Sequence, residues 1–352
     1  MEAIKEKNIN LYESNNSNTK NRIEYMDIAK GIGIILVIIG HMPIKNEYCR
    51  DFIYSFHMPL FFLISGYFFK HTDNKKCLRK IFKSLIIPYV ITCILIILYK
   101  IFRLVLQSNF SEIPNAFKIW GLASLYGSGD GEHFGIISIG AIWFLLALAF
   151  ATYFMNYIYN KKYRYLYVLF IAYIGYKTSQ FVWLPLSVQA GMVALLYVYI
   201  GILMKKYNIL NRHICACEYI FLIAMMIFNV KYGGKLYMVT NTYENGLLDV
   251  IISLSNCFLC IKLSMIIDKF LKILKMLFKF IGENSLICLC AHLISLDCFK
   301  WKTWYNILNE IGIHNECLIA SIGNLLWVIL ALLIIKSMKK TINLLRLKFN
   351  GG

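Results

Sequence analysis

The chain has 352 residues, of which 59% are hydrophobic and 16% charged, and its mean hydropathy of +0.60 excludes an ordinary soluble protein. Its formal charge of +18 sits in short Lys and Arg clusters between apolar runs, a topology signal with no extended surface for nucleic acid. Apolar runs of spanning length recur along the chain, so the expected fold is all-α: a polytopic transmembrane helix bundle of about ten spans in a lipid bilayer.

The polar, Asn-rich residues 1–21 read as a disordered cytoplasmic tail, with no cleavable signal peptide, ahead of a membrane domain over 22–338 and a basic cytoplasmic tail over 339–352. Spans are expected at 28–44, 52–69, 84–106, 139–159, 165–176, 184–204, 215–230, 247–267, 281–296 and 317–335, the fifth being the shortest. With both termini in the cytoplasm, 25 of the 37 Lys and Arg residues fall in inner segments and ten in outer ones, which fits an even number of spans in a cell membrane. Eleven cysteines, many inside apolar segments, lack zinc-site spacing and read as small core residues, so no metal is expected. The longest polar segment, 107–138, reads as a flexible outer connector.

A titratable side chain at bilayer depth costs a few kcal/mol, so each one needs a reason. Lys30 and His41 lie eleven residues apart, about three full turns, so both project from one helix face with an axial separation of about 16 Å. Lys30 would meet an anion at the cytoplasmic mouth, and His41 would lie deep and toward the outer side. Gly31, Gly33 and Gly40 allow either close helix packing or a channel beside the helix.

The second span brings Phe56-His57-Met58-Pro59 and Ser65-Gly66-Tyr67. A short connection makes the first two spans an antiparallel hairpin with His41 and His57 at the same end. Pro59 frees a backbone carbonyl, which a structural His57 would satisfy. His292 in the ninth span either lines the same cavity or bridges helices, and Glu283-Asn284-Ser285 suits a helix start. Lys75, Lys76, Arg79, Lys80 and Lys83 exceed what orientation requires; Arg79 suits phosphate, although a solvated inner loop accounts for the cluster. The aromatic belt alone would account for Trp143.

These residues carry a resemblance. The run Arg22 to Gly33, then Gly40-His41, Phe56-His57-Met58-Pro59-Leu60-Phe61-Phe62 and Ser65-Gly66-Tyr67 resembles acyltransferase family 3, particularly members similar to fucose 4-O-acetylases. The likeness extends from about Arg22 to Ile335, with weaker matches at Pro88-Tyr89, Trp143-Phe144-Leu145 and Gly282 to His292. The family's basic residue followed by ten residues and His is matched by Lys30 and His41; many members have Arg at the first position. The resemblance implies an integral membrane O-acetyltransferase that moves acetyl from cytoplasmic acetyl-CoA to a hydroxyl of a cell-surface carbohydrate or glycolipid acceptor.

A sugar hydroxyl is too weak an acid to attack a thioester unaided, which makes His41 the expected general base. On that reading His57 orients it or polarises the carbonyl, Asp27 balances Lys30, and Lys30 with Arg79 holds the CoA phosphates. Ser65, Trp143 and His292 are expected to line the cavity. Direct transfer and a covalent acyl-histidine both remain open. The competing class is a transporter or flippase of lipid-linked sugars using the same histidines, against which stands the lack of inverted repeats.

Overall fold

The computed structural model describes residues 22–232, 234–298, 301–310, 312 and 315–349; the tail expected at 1–21 lies outside them. Helix α1 (Glu24–Gly40) runs through the first apolar segment and stops just before Pro43. Helix α2 (Glu47–Tyr67) starts where the Asn46 side chain accepts from the Cys49 amide, and it continues through Pro59. Asp73 caps the short α3 (Asn74–Ile81) by accepting from the Lys75 amide. A wider π turn, Phe82–Ile86, then leads into α4 (Ile87–Leu106) directly ahead of Pro88, which has no amide to donate to the preceding turn.

The segment 107–138 is not the open connector expected from its polarity. It contains α5 (Ile113–Tyr126) and a hairpin of β1 (Glu132–His133) with β2 (Ile136–Ile137). The Tyr89 hydroxyl donates to the Ser124 carbonyl at 2.6 Å, and Ser187 donates to the Gly127 carbonyl at 2.7 Å. Gly127 ends α5 at φ +67°, a left-handed conformation that favours glycine. These bonds tie α5 and its following loop to the bundle, so local polarity marked a folded segment.

Helices α6 (Trp143–Ile158), α7 (Arg164–Thr178), α8 (Val188–Lys206) and α9 (Ala216–Tyr232) follow. A small hairpin, β3 (Leu236–Tyr237) with β4 (Thr242–Tyr243), precedes α10 (Leu247–Phe270). The expected ninth span, 281–296, is mostly α12 (Ser285–Cys298), but its first residues belong to a separate helix, α11 (Lys272–Glu283), and the two are bent by 76°. Asn284 stands at the bend and donates to the Phe280 carbonyl at 2.7 Å, so it completes the end of α11 rather than capping the start of α12. The chain closes with α13 (Trp301–Glu310) and α14 (Glu316–Phe349).

Close crossings hold the centre together. A Cβ on Gly66 of α2 would lie 2.0 Å from the Val198 carbonyl oxygen of α8, and one on Gly201 of α8 would lie 2.0 Å from that of Leu63. The same is true of α1 and α11 at Gly31 and Gly282, so close packing is what Gly31 provides there. Around these crossings α1, α2, α6, α8 and α12 share one apolar core that includes Ile38, Phe62, Leu145, Tyr197 and Cys288.

The outer faces remain apolar: Ile91, Ile94, Leu98 and Phe102 of α4 are all about half exposed. Such a stripe suits lipid and not water. Four segments among the described residues are long and apolar enough to cross a membrane: Asn74–Leu106, Pro185–Lys206, Leu247–Phe270 and Glu316–Met338. The bent α11 and α12 pair makes a fifth. The fold is thus an all-α, multi-pass membrane bundle, with four or five helices meeting that criterion against the ten spans expected.

Candidate active site

Helix α1 connects two polar regions. At its Lys30 end, Asp27 is buried and takes an ion pair from Lys30 at 2.6 Å and another from Arg22. Burial alone would raise the Asp27 carboxyl, but the hydrogen bonds from Arg22 and Lys30 outweigh it and hold the group below its ordinary value. One turn earlier Glu24 meets Lys275 at 2.6 Å and also Lys279, both on α11, and these hydrogen bonds push its carboxyl down. Lys275 reaches Asp268 at 2.7 Å as well. The amphipathic α11 is thereby pinned across the end of α1.

Beside this network is a slot of about 150 Å³, lined by Lys30, Val37, Met58, Ser65, Phe144 and Ser285 among others. Ser65 contributes its position only, because its hydroxyl donates to the Phe61 carbonyl at 2.8 Å. Arg79 is not in the slot. It is exposed on α3, whose Cys77 and Ile81 face the bundle instead.

At the other end His41 follows the last helical residue, so it lies just past α1 and not within it. Its φ of −86° and ψ of −4° keep the helical path, and its amide still bonds to the Val37 carbonyl, so the spacing from Lys30 survives. The His41 Nδ1 also lies 2.7 Å from the Val37 carbonyl oxygen, and the His57 Nδ1 lies 2.7 Å from that of Ile53. A carbonyl only accepts, so both rings carry their proton on Nδ1 and leave Nε2 with a lone pair. His57 thus takes the carbonyl of Ile53 rather than that of Ser55, the one Pro59 leaves without its helical donor.

His292 is completely buried on α12, and its Nδ1 lies 3.2 Å from the Asn324 Oδ1 of α14. The Asn324 amide nitrogen donates to the Ala320 carbonyl, which fixes its oxygen toward His292 and the Ser295 hydroxyl. The Nε2 of His292 has no hydrogen-bond partner among the described residues. Ring centroids separate His41 from His292 by 5.3 Å, His41 from Tyr54 by 6.3 Å and Tyr54 from His57 by 5.0 Å.

The three histidines expected from sequence therefore meet, with Tyr54 between two of them. His41, Tyr54, His57, Trp120, Asp130 and Trp143 line a cavity of about 410 Å³. His292 lies behind that wall, while its neighbours Leu293 and Leu296 reach the surface. Trp143 is nearly buried at the start of α6, packed so closely on Gly129 that a Cβ there would lie 2.2 Å from its ring; it is a wall of the cavity, not a belt residue.

Met58 borders both this cavity and the Lys30 slot. Asp27 stays with Lys30, fourteen residues or about 21 Å along the chain from His41, and so belongs to the ion network and not to the histidines. Tyr54, Trp120, Asp130 and Asn324 were not expected from sequence. Asn324 carried a usable signal, a polar residue inside an apolar run, whereas the glycine-rich surroundings of Asp130 suggested only a loop.

A family model described as an acyltransferase domain, that of acyltransferase family 3, matches residues 23–335. The chain belongs to this family. No curated protein and no solved structure matches it. Membership makes the chain a membrane acyltransferase, with both the Lys30 slot and the histidine cavity inside the matched segment.

Proposed function

We propose that this acyltransferase moves an acetyl group from cytoplasmic acetyl-CoA to a hydroxyl of a cell-surface carbohydrate or glycolipid, with His41 as general base. The observation that carries the reading is the His41 ring. Its Nδ1 is committed to the Val37 carbonyl, so Nε2 is free to take a proton at a cavity, while the Lys30 slot opens at the other end of the same helix.

Lys30 supplies positive charge for a CoA phosphate, and the exposed Arg79 serves the phosphates that remain in solvent. Asp27 holds the Lys30 ammonium in place. The pantetheine arm runs along the slot and past Met58, whose unbranched side chain can turn aside. An acceptor hydroxyl in the cavity gives its proton to His41 Nε2 as its oxygen attacks the thioester carbonyl. The carbon–sulfur bond then breaks, and the same proton passes from His41 to the departing thiolate. Trp120 and Trp143 offer apolar faces for a sugar ring, and Asp130 accepts from its hydroxyls. His57 and Tyr54 orient the reacting groups.

Both termini are cytoplasmic in this scheme, in a cell membrane. The decisive experiment supplies labelled acetyl-CoA to the purified full-length protein in liposomes with cell-envelope glycans and identifies the acetylated product by mass spectrometry. Labelled glycan is expected. Lys30→Ala and Arg79→Ala should raise the acetyl-CoA concentration needed for half-maximal transfer, and unchanged requirements would overturn the phosphate assignment. Movement of a lipid-linked sugar across the liposome without acetylation would make the chain a flippase instead.

A further inference from the structure

A second, apolar cavity lies away from the histidines. It is a groove of about 700 Å³ between α1, α2, α9 and α10, walled by apolar side chains that include Leu36, Phe56, Met226, Leu259 and Leu263. Its lining on α10 runs from Asn256 to Phe270, about 21 Å at 1.5 Å per residue. Such a slot suits a hydrocarbon chain and offers little to a sugar.

The groove carries two cations, Lys262 near its middle and Lys269 near its Phe270 end, about 10 Å apart along α10. Lys262 and Lys269 both line it, and seven residues bring them within about 20° of the same face of α10. Other charges nearby are neutralised: Arg212 pairs with Glu218, and Asp268 pairs with Lys275. Neither Lys262 nor Lys269 has a carboxylate within ion-pair distance among the described residues. Lys262 spends one of its three donors on the Leu210 carbonyl at 2.7 Å and keeps two. Lys262 is also a lysine within an apolar span that the acetyl-transfer scheme leaves without a role.

We propose that this groove is a binding site for an anionic phospholipid. The phosphate sits between the Lys262 and Lys269 ammonium groups, whose flexible stems reach toward the end of α10, and one acyl chain lies along the groove toward Phe56. The lipid occupies the leaflet on the Lys30 side of the bundle, because α11, which clasps the Lys30 end of α1, directly follows the Lys269 end of α10.

The test uses the full-length protein in detergent, with native mass spectrometry after addition of phosphatidylglycerol or of phosphatidylcholine with identical acyl chains. The wild type should retain phosphatidylglycerol preferentially, by about fivefold for each lysine engaged. The double variant Lys262→Gln/Lys269→Gln should lose that preference, while Lys75→Gln/Lys76→Gln on α3 should keep it. Equal retention of the two lipids by the wild type, or an unchanged preference in the Lys262/Lys269 variant, would overturn the proposal. Should the double variant fail to fold, phosphatidylglycerol with a photoreactive acyl chain decides the matter in the wild type: labelling of groove residues such as Leu36, Phe56, Met226, Leu259 or Leu263 is expected, and labelling confined to residues outside the groove overturns it.

Discussion

His292 lies edge-on to His41, with ring centroids 5.3 Å apart, although the two come from opposite ends of the chain. The His292 ring is oriented from α14, where Asn324 accepts both from its Nδ1 and from Ser295. Asn324 also places its amide 3.4 Å from the Met42 sulfur, next to His41 in sequence. The neighbourhood of the proposed base, which directly follows α1, is thus built by α12 and α14 together with Tyr54 of α2.

Asn324→Leu should remove the acceptor shared by His292 and Ser295 and leave two buried donors unpaired, at about 1 to 3 kcal/mol each. A lowered melting temperature in detergent and weaker acetyl transfer are expected. Ser295→Ala removes a single donor and keeps the His292 bond, so its effect on both readouts should be smaller. The opposite order would remove Asn324 from this role.

His41→Gln keeps a polar side chain but cannot take up a proton near pH 7. Loss of a general base typically costs a factor of about 10² to 10⁴ in rate. With normal membrane yield, transfer should nearly vanish for His41→Gln and fall partially for His57→Gln and His292→Gln. Wild-type transfer by the His41 variant would dismiss it as the base, and failure to insert would mark it as a packing residue.

Met58 separates the slot from the histidine cavity, so its size should govern donor access. Met58→Trp is expected to depress transfer strongly by blocking the passage, whereas Met58→Ala should retain it with some loss of stability. Rates of acetyl transfer at saturating donor check this, and full activity in the Trp variant would place the acyl route elsewhere.

Gly31 and Gly282 meet backbone, which cannot move aside: a Cβ would lie 2.0 Å from the Phe278 carbonyl oxygen in one case and 1.7 Å from that of Asp27 in the other. Gly31→Ala and Gly282→Ala should therefore separate α1 from α11, costing at least about 1 to 3 kcal/mol and lowering the yield of folded protein. Gly33→Ala meets only the side chains of Phe61 and Leu60, at 3.1 and 3.2 Å, and should be milder. Comparing the yields of monodisperse protein tests the ranking.

Asp27 and Glu24 both have carboxyls held below their unfolded values, so each favours the folded state when ionised. Their contribution is fully present above about pH 4, the unfolded carboxyl range, and is lost as pH falls through the lower folded values. Thermal melts from pH 6 to pH 3 should show an acid limb that Asp27→Asn and Glu24→Gln each make shallower. An acid limb unchanged from that of the wild type in both variants would show that this network does not govern it.

Membrane character, helical class and the pairing of Lys30 with His41 were readable in the sequence, because hydropathy and an eleven-residue spacing are local properties of one helix. His57 could be placed near His41 from a short hairpin connection, for the same reason. Other features depended on contacts between distant segments. Polarity at 107–138 cannot distinguish a loose connector from a folded segment whose Asp130 and Trp120 reach the cavity, since the deciding bonds come from Tyr89 and Ser187.

The break between α11 and α12 shows the same division. An apolar run over 281–296 reads as one straight span, and α12 supplies most of it, yet its first residues turn into α11, which Glu24, Lys275 and Lys279 hold across the end of α1 where Gly31 and Gly282 cross closely. The sequence by itself determined which residues seek lipid and which two lie along one face of α1. Only the tertiary structure decided that His292 stands against His41 and that Asn324 orients it, because each relationship joins chain segments that no periodicity connects.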